Sequence, residues 1–251
     1  MADDGLRGPL LRKPIDSDRL REECANYDRP SAKRLAKGEL SSYNEALAHF
    51  REMLGIRIDD EESHLRIDLR SDLQVRVLID VFLNPWGCRL PMWSAQSRKL
   101  VVSQIGGWWD DVIRSDAAKP TLPVPADRLG ASQSDLSEYA PVYGELNKRM
   151  ARGSAKHAGR PAAASKILYI LRPHFFLPWD RLIRDKLEAA EGTGEQYVAF
   201  LGRARLRIGE LLKRHGGEAP LLKEIGQRNC TVVEAINKYC WSVSRLGAAP
   251  E

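Results

Sequence analysis

Residues 161–173 read Pro161-Ala-Ala-Ala-Ser-Lys166-Ile-Leu-Tyr-Ile-Leu-Arg172-Pro173, and residues 175–184 read Phe175-Phe-Leu-Pro-Trp-Asp180-Arg-Leu-Ile-Arg184. Proline is favoured in the first turn of a helix and ends a helix further along. The pattern therefore predicts a short apolar helix that starts at Pro161, ends before Pro173 and carries one lysine near its start. Asp180 then precedes a second helical pattern, over 181–190, as an N-cap residue does.

The composition is that of a soluble globular protein. The chain has 251 residues, of which 43% are hydrophobic and 29% charged. No apolar run approaches the roughly 20 residues that span a bilayer, and the first residues lack the basic and then apolar order of a secretory signal. We therefore expect a cytoplasmic protein without a membrane partner.

The cysteines and histidines are dispersed along the chain. Zinc ribbons and iron–sulfur clusters need closely spaced thiolates, so we expect neither a metal nor a cofactor. A disulfide framework is uncommon in an intracellular chain of this size. The four cysteines are expected to be small buried residues: Cys24, Cys88, Cys230 and Cys240.

The positive charge lies in the second part of the chain. The formal net charge is +5, but residues 151–251 contain 17 Lys and Arg against 10 Asp and Glu. A basic half favours a polyanionic partner, of which nucleic acid is the commonest. Many soluble proteins are mildly basic without such a partner, so charge alone leaves both interpretations open.

Apolar residues at helical spacing predict an all-α fold of about nine or ten helices. We expect a flexible N-terminal arm over 1–15, a helical lobe over 16–125 and a second helical lobe over 126–251 that contains the lysine–aspartate segment. Residues 119–125 form a proline-rich loop between the lobes. Only residues 65–70 alternate apolar and polar, which permits a short strand or an extended segment there. The helical patterns cover residues 16–25, 31–37, 41–54, 72–83, 94–113, 134–150, 195–215, 218–225 and 231–246.

Lys166 is the candidate nucleophile. The amides of the first helical turn attract a phosphate, and the positive end of the helix dipole disfavours an ammonium relative to a free amine. A free amine is what a lysine nucleophile needs. The alternative is that Lys166 points into solvent while the apolar residues around it form the core.

Asp180 can face Lys166 across a cleft, or it can act only as a helix cap. The aromatic residues beside it, Phe175, Phe176 and Trp179, can stack on a base or fill the core. We also assign Tyr169, Trp108 and Trp109 to substrate contact. Trp86 is a further candidate for the far wall of a cleft.

These residues resemble the helix-hairpin-helix DNA glycosylase superfamily. Pro-Ala-Ala-Ala-Ser-Lys166 is similar to its Pro-Gly-x-Gly-x-Lys hairpin, in a degenerate form with alanine at 162 and 164, and the segment ending at Arg184 is similar to its aspartate segment. The resemblance implies an all-α, two-lobed protein with a central cleft. It also implies that Lys166 attacks the sugar of a flipped nucleotide while Asp180 stabilises the positive charge.

The function that the resemblance implies is DNA repair by base excision, with or without a strand-nicking lyase step. DNA backbone contacts are then expected from Arg160, Ala162, Ala164, Arg181 and Arg184. Two alternatives remain: a nucleic-acid or nucleotide-binding protein of the same fold without catalysis, and a protein-interaction module. A basic stripe over 203–207 can track phosphates or can be a solvated helix face.

Overall fold

The structure is a computed structural model that describes residues 6–29, 43–57, 60–88, 90, 94–114, 122–123, 127–151 and 160–246. Within these ranges it contains ten α-helices and no strand, which confirms the all-α prediction. The helix predicted over 31–37, most of the proline-rich loop and the basic loop at 152–159 lie outside the described residues.

The α-helices are numbered in chain order. They are α1 (Ser17–Asp28), α2 (Tyr43–Met53), α3 (Asp72–Val77), α4 (Ala95–Trp108), α5 (Tyr139–Ala151), α6 (Pro161–Leu171), α7 (Arg181–Leu187), α8 (Gly194–His215), α9 (Glu218–Glu224) and α10 (Val232–Leu246). Two 3-10 helices span Glu61–Arg66 and Leu136–Glu138, and two π-helical segments span Leu78–Leu83 and Trp109–Ile113.

Capping residues explain where several helices begin and end. Ser71, Ser94 and Thr193 each accept a hydrogen bond from a backbone amide in the first turn of the helix that follows, which satisfies one of its unpaired donors. Gly216 ends α8 in the left-handed conformation, with φ of 73°, which glycine adopts without strain. The helices predicted over 72–83, 94–113 and 195–215 are thus confirmed.

The strand allowed at 65–70 is wrong. The chain forms a 3-10 helix over Glu61–Arg66, because the Asp60 side chain accepts hydrogen bonds from the amides of Glu62 and Ser63. His64 on this turn is 3% exposed, and its Nδ1 lies 2.9 Å from the carbonyl oxygen of Ile170. The turn is therefore held against the C-terminal end of α6.

Residues 6–15 are packed rather than loose. Leu6 and Leu10 are buried, and the Gly8 amide donates to the Leu187 carbonyl at 3.0 Å. The Arg203 and Arg207 side chains on α8 donate to backbone carbonyls of this segment. Two arginines of the predicted phosphate stripe thus hold the N-terminal segment, which corrects the expectation of a flexible arm at 6–15.

Helix α6 lies at the centre of the core. Its residues from Ala163 to Leu171 are all buried, and it contacts α5 and the 3-10 helix at 61–66. Helix α1 packs on α10, so the first and last helices meet. All four cysteines are buried, as predicted. In the described part of the chain, no helix has the length and apolar character needed to cross a membrane.

Candidate functional site

Lys166 and Asp180 line the same cavity, which has a volume of about 610 Å³. The cavity walls come from the first turns of α6 and α7, from the turn at 86–88 and from α1 and α10. The sequence placed these two residues 14 positions apart, and the fold brings both to one surface.

A hydrogen bond between the residues that precede Lys166 and Asp180 holds the start of α6 beside the start of α7. The Trp179 amide donates to the Ser165 hydroxyl at 3.1 Å, and these residues directly precede Asp180 and Lys166. The Tyr197 hydroxyl donates to the Leu177 carbonyl at 2.9 Å and fixes the same loop from α8. Ser165 is therefore a positioning residue that the sequence did not reveal, because its partner is distant in sequence.

Lys166 does not point into solvent, since only 5% of the residue is exposed. Its Nζ donates to the Trp86 carbonyl at 2.6 Å and lies 4.6 Å from the centroid of the Trp86 ring. A carbonyl oxygen and an aromatic face both stabilise an ammonium. Lys166 also contacts Cys88, whose thiol pKa is raised by burial and lowered in part by the nearby lysine.

Asp180 both caps α7 and faces the cavity. Its Oδ1 accepts a hydrogen bond from the Ile183 amide at 3.1 Å, which confirms the predicted N-cap. The residue is partly buried and lines the cavity wall. A carboxylate held by a backbone amide has a fixed orientation, which suits it to stabilise positive charge nearby.

The cavity wall is rich in cations. Three arginines, Arg160, Arg181 and Arg184, join Lys166 in the lining, whose described carboxylate is that of Asp180. Arg181 also pairs with Asp185, outside the lining, at 3.5 Å. Ala162 also lines the cavity, in the first turn of α6, where backbone amides attract anions. Described cavity residues thus favour a ligand that carries negative charge.

Ala164 does not reach the cavity, which corrects its assignment as a backbone contact. Its side chain is fully buried, and its amide donates to the Arg160 carbonyl at 3.0 Å as the first helical hydrogen bond of α6. Of the two predicted alanines, only Ala162 is available to a ligand.

Asn237 on α10 is a cavity residue whose side-chain oxygen has no hydrogen-bond partner among the described residues. The residue is 6% exposed, and its Oδ1 is buried without a partner among the described residues. Leaving such a group unpaired costs about 1–3 kcal/mol. One turn further along α10, Trp241 also lines the cavity, and its ring meets that of Tyr27 edge-on at 5.1 Å.

The aromatic residues that the sequence assigned to substrate contact lie in the core. Phe175, Phe176, Trp179, Tyr169 and Trp108 are at most 1% exposed, and Trp109 packs against the core; none of these described residues lines the cavity. Their polar atoms bind inside the protein, as the Trp179 indole does when it donates to the Tyr143 hydroxyl at 2.9 Å.

The aromatic cavity residues are Trp86, Tyr27 and Trp241. Trp86 was a candidate from the sequence. The local sequence assigned neither Trp241 nor Tyr27 to a cavity, because the place of both depends on the packing of α1 against α10.

The described residues include no cluster of three or more His, Cys, Asp and Glu side chains that could hold a metal ion. Comparison of the chain with protein-family models, with curated proteins and with solved structures found no match.

Proposed function

We propose that the protein is a DNA base glycosylase whose cavity receives a nucleotide turned out of the duplex. The observation that carries this proposal is that Lys166 and Asp180 line one cavity together with three arginines. Its volume lies within the range of small-ligand sites, about 300–1,000 Å³.

In the proposed reaction, Lys166 first transfers a proton to water and leaves its contact with the Trp86 carbonyl. Its amine then forms a bond to C1′ of the sugar while the bond from C1′ to the base breaks. The departing base keeps the electron pair and is protonated by water. The Asp180 carboxylate stabilises the positive charge that develops on the sugar.

Other cavity residues have roles that follow from their chemistry. The arginines bind the phosphates that flank the nucleotide, and the Trp86, Tyr27 and Trp241 rings provide apolar surface for a base. The Asn237 amide supplies a donor and an acceptor for a base edge, which would satisfy the buried oxygen that has no partner among the described residues.

The proposed fold is a two-lobed helical arrangement like that of the helix-hairpin-helix glycosylases, with this cavity as its cleft. In its support, the walls combine the turn at 86–88, from the first part of the chain, with the first turns of α6 and α7, from the second.

A second candidate function is nucleic-acid or nucleotide binding without base excision. The contacts of Lys166 favour it, because its Nζ is held by the Trp86 carbonyl at 2.6 Å and must leave this contact before it can attack a sugar. The loss of both hairpin glycines, at 162 and 164, is in keeping with a binding protein that no longer processes DNA.

Excision and binding assays distinguish the two candidates. We would incubate the protein with duplexes that carry oxidised, alkylated, deaminated or mismatched bases, and measure free base by chromatography. A glycosylase releases at least one base, and Asp180→Asn, which retains a helix cap, lowers the rate at least tenfold. Binding of duplex without release of any base would support the second candidate, and no binding at low salt would refute both.

A further inference from the structure

The proposed reaction makes no use of Cys88, although this residue lies beside the lysine on which the reaction depends. All four cysteines lie within the described residues, and Cys88 is the one among them that lines the cavity. The residue is 9% exposed. A small molecule therefore reaches its thiol by entering the cavity that Lys166 also lines.

One tight turn brings the Cys88 thiol and the Lys166 amine together. The Cys88 amide donates to the Leu83 carbonyl at 2.9 Å, and Gly87 has a φ of 84°, in the left-handed region that glycine adopts without strain. The Trp86 carbonyl of the same turn accepts the hydrogen bond from Lys166 Nζ at 2.6 Å. Lys166 also donates a hydrogen bond to the Cys88 sulfur. The sulfur and the nitrogen are thus in direct contact.

The contact with Lys166 distinguishes Cys88 from the other cysteines. Burial raises the pKa of every cysteine thiol in the chain, that of Cys24 to about 12. For Cys88, the charge and the hydrogen bond of Lys166 oppose this rise. An ammonium beside a sulfur stabilises the thiolate, which is the form that oxidants attack. Oxidation is therefore expected at Cys88 before the other three cysteines.

We infer that hydrogen peroxide joins Cys88 to Lys166 through a sulfur–nitrogen bond, so that this pair is a covalent modification site. Peroxide first oxidises the thiol to a sulfenic acid, and its O–O bond breaks to release one water. Lys166 passes a proton to water, and its free amine then attacks the sulfur. The N–S bond forms while the S–O bond breaks, and a second water leaves. Sulfenic acids condense with nitrogen in this way.

The bond would block the cavity reversibly. It occupies the Lys166 nitrogen and ties the start of α6 to the turn at 86–88, so the amine no longer attacks a sugar. Two molecules of a thiol reductant supply two electrons, restore the thiol and the amine, and leave as a disulfide. This consequence for base excision rests on the proposed function, whereas formation of the bond does not.

Mass spectrometry of the folded protein, without DNA, tests the bond. We expect hydrogen peroxide to lower the intact mass by about 2 Da and dithiothreitol to restore it. A tryptic digest of the oxidised protein should contain Cys88 and Lys166 in one linked peptide. The variant C88S should form no such peptide. The matched control is C230S, because Cys230 is also buried and also has a lysine charge nearby, that of Lys238; it should form the linked peptide as the unaltered protein does.

The peptide map of the unaltered protein decides the outcome even if C88S does not fold. An unchanged mass, a mass higher by about 16 or 32 Da with the oxygen retained on Cys88, or a disulfide in place of the linked peptide would overturn the modification site.

A second measurement separates this inference from the proposed function. Borohydride trapping on an abasic duplex should give at least tenfold less adduct after peroxide, with recovery after dithiothreitol. If the linked peptide forms but the untreated protein gives no adduct, the role of Lys166 as a nucleophile fails while the modification site stands. If the linked protein still gives the adduct, the bond does not block the reaction.

Discussion

We expect acidification to lower the free energy of unfolding through the buried imidazole of His64. This ring is buried against the C-terminal end of α6, with Nδ1 at 2.9 Å from the Ile170 carbonyl oxygen. Burial, together with nearby Arg51, His174 and Arg172, lowers the pKa of His64 from 6.5 to about 4, despite the opposite effect of the hydrogen bond to Ile170. The buried ring is therefore neutral at pH 7.

The sign and the size of this stability change follow from the difference in proton uptake between the folded and the unfolded chain. Between about pH 6.5 and pH 4 the unfolded chain holds a proton on His64 that the folded chain lacks. Stability therefore falls as the pH falls through this window, and the contribution of His64 is fully present above pH 6.5. At 1.36 kcal/mol per pKa unit, the loss by pH 4 is about 3 kcal/mol.

Urea unfolding followed by circular dichroism, at intervals from pH 7 to pH 4, measures this loss. His64→Asn keeps a donor near the position of Nδ1 and does not titrate, so it is the informative variant. We expect the unaltered protein to lose about 3 kcal/mol more than His64→Asn over this range. His49→Gln, which alters a histidine with a 63% exposed side chain, should behave as the unaltered protein does. Equal pH dependence in His64→Asn and the unaltered protein would refute the reasoning.

Three further changes separate structural from functional roles. Asp180→Ala removes the cap of α7 and should lower stability by about 1 kcal/mol in urea unfolding, whereas Asp180→Asn should not. Asn237→Leu removes a buried unpaired oxygen, so it should leave the unfolding free energy within about 1 kcal/mol of its starting value or raise it, while a fluorescence titration shows weaker duplex binding. Gly8→Ala places a Cβ 2.0 Å from the Lys186 carbonyl oxygen and should cost at least about 1–3 kcal/mol. Gly144→Ala puts its new Cβ at least 4 Å from every described atom outside the adjoining backbone of its own helix, so it should raise the melting temperature slightly, because alanine favours a helix by about 1 kcal/mol.

Local sequence patterns predicted most helices, because caps and apolar periodicity act over a few residues. Pro161 and Pro173 bound α6 as expected, and Asp180 caps α7. The alternation over residues 65–70 permitted a strand that does not form, because six alternating residues do not reveal the Asp60 cap that starts a 3-10 helix.

The sequence predicted only those site residues that lie close together along the chain. Lys166 and Asp180 belong to consecutive helices, so their order along the chain already placed them close together. Tyr27 and Asn237 reach the cavity only because α1 packs on α10, a contact between the two ends of the chain. The side chain of Trp179 is adjacent to Asp180 in sequence and yet fills the core, since neighbouring residues can face in different directions.

Covalent trapping tests the central claim most directly. The protein is incubated with a duplex containing an abasic site in the presence of sodium borohydride, which reduces a Schiff base to a stable bond. We expect a covalent protein–DNA adduct, mapped by mass spectrometry to Lys166 and lost in a folded Lys166→Gln variant. Absence of an adduct on abasic duplex, or an adduct on another lysine that persists in Lys166→Gln, would contradict the role assigned to Lys166 as a nucleophile.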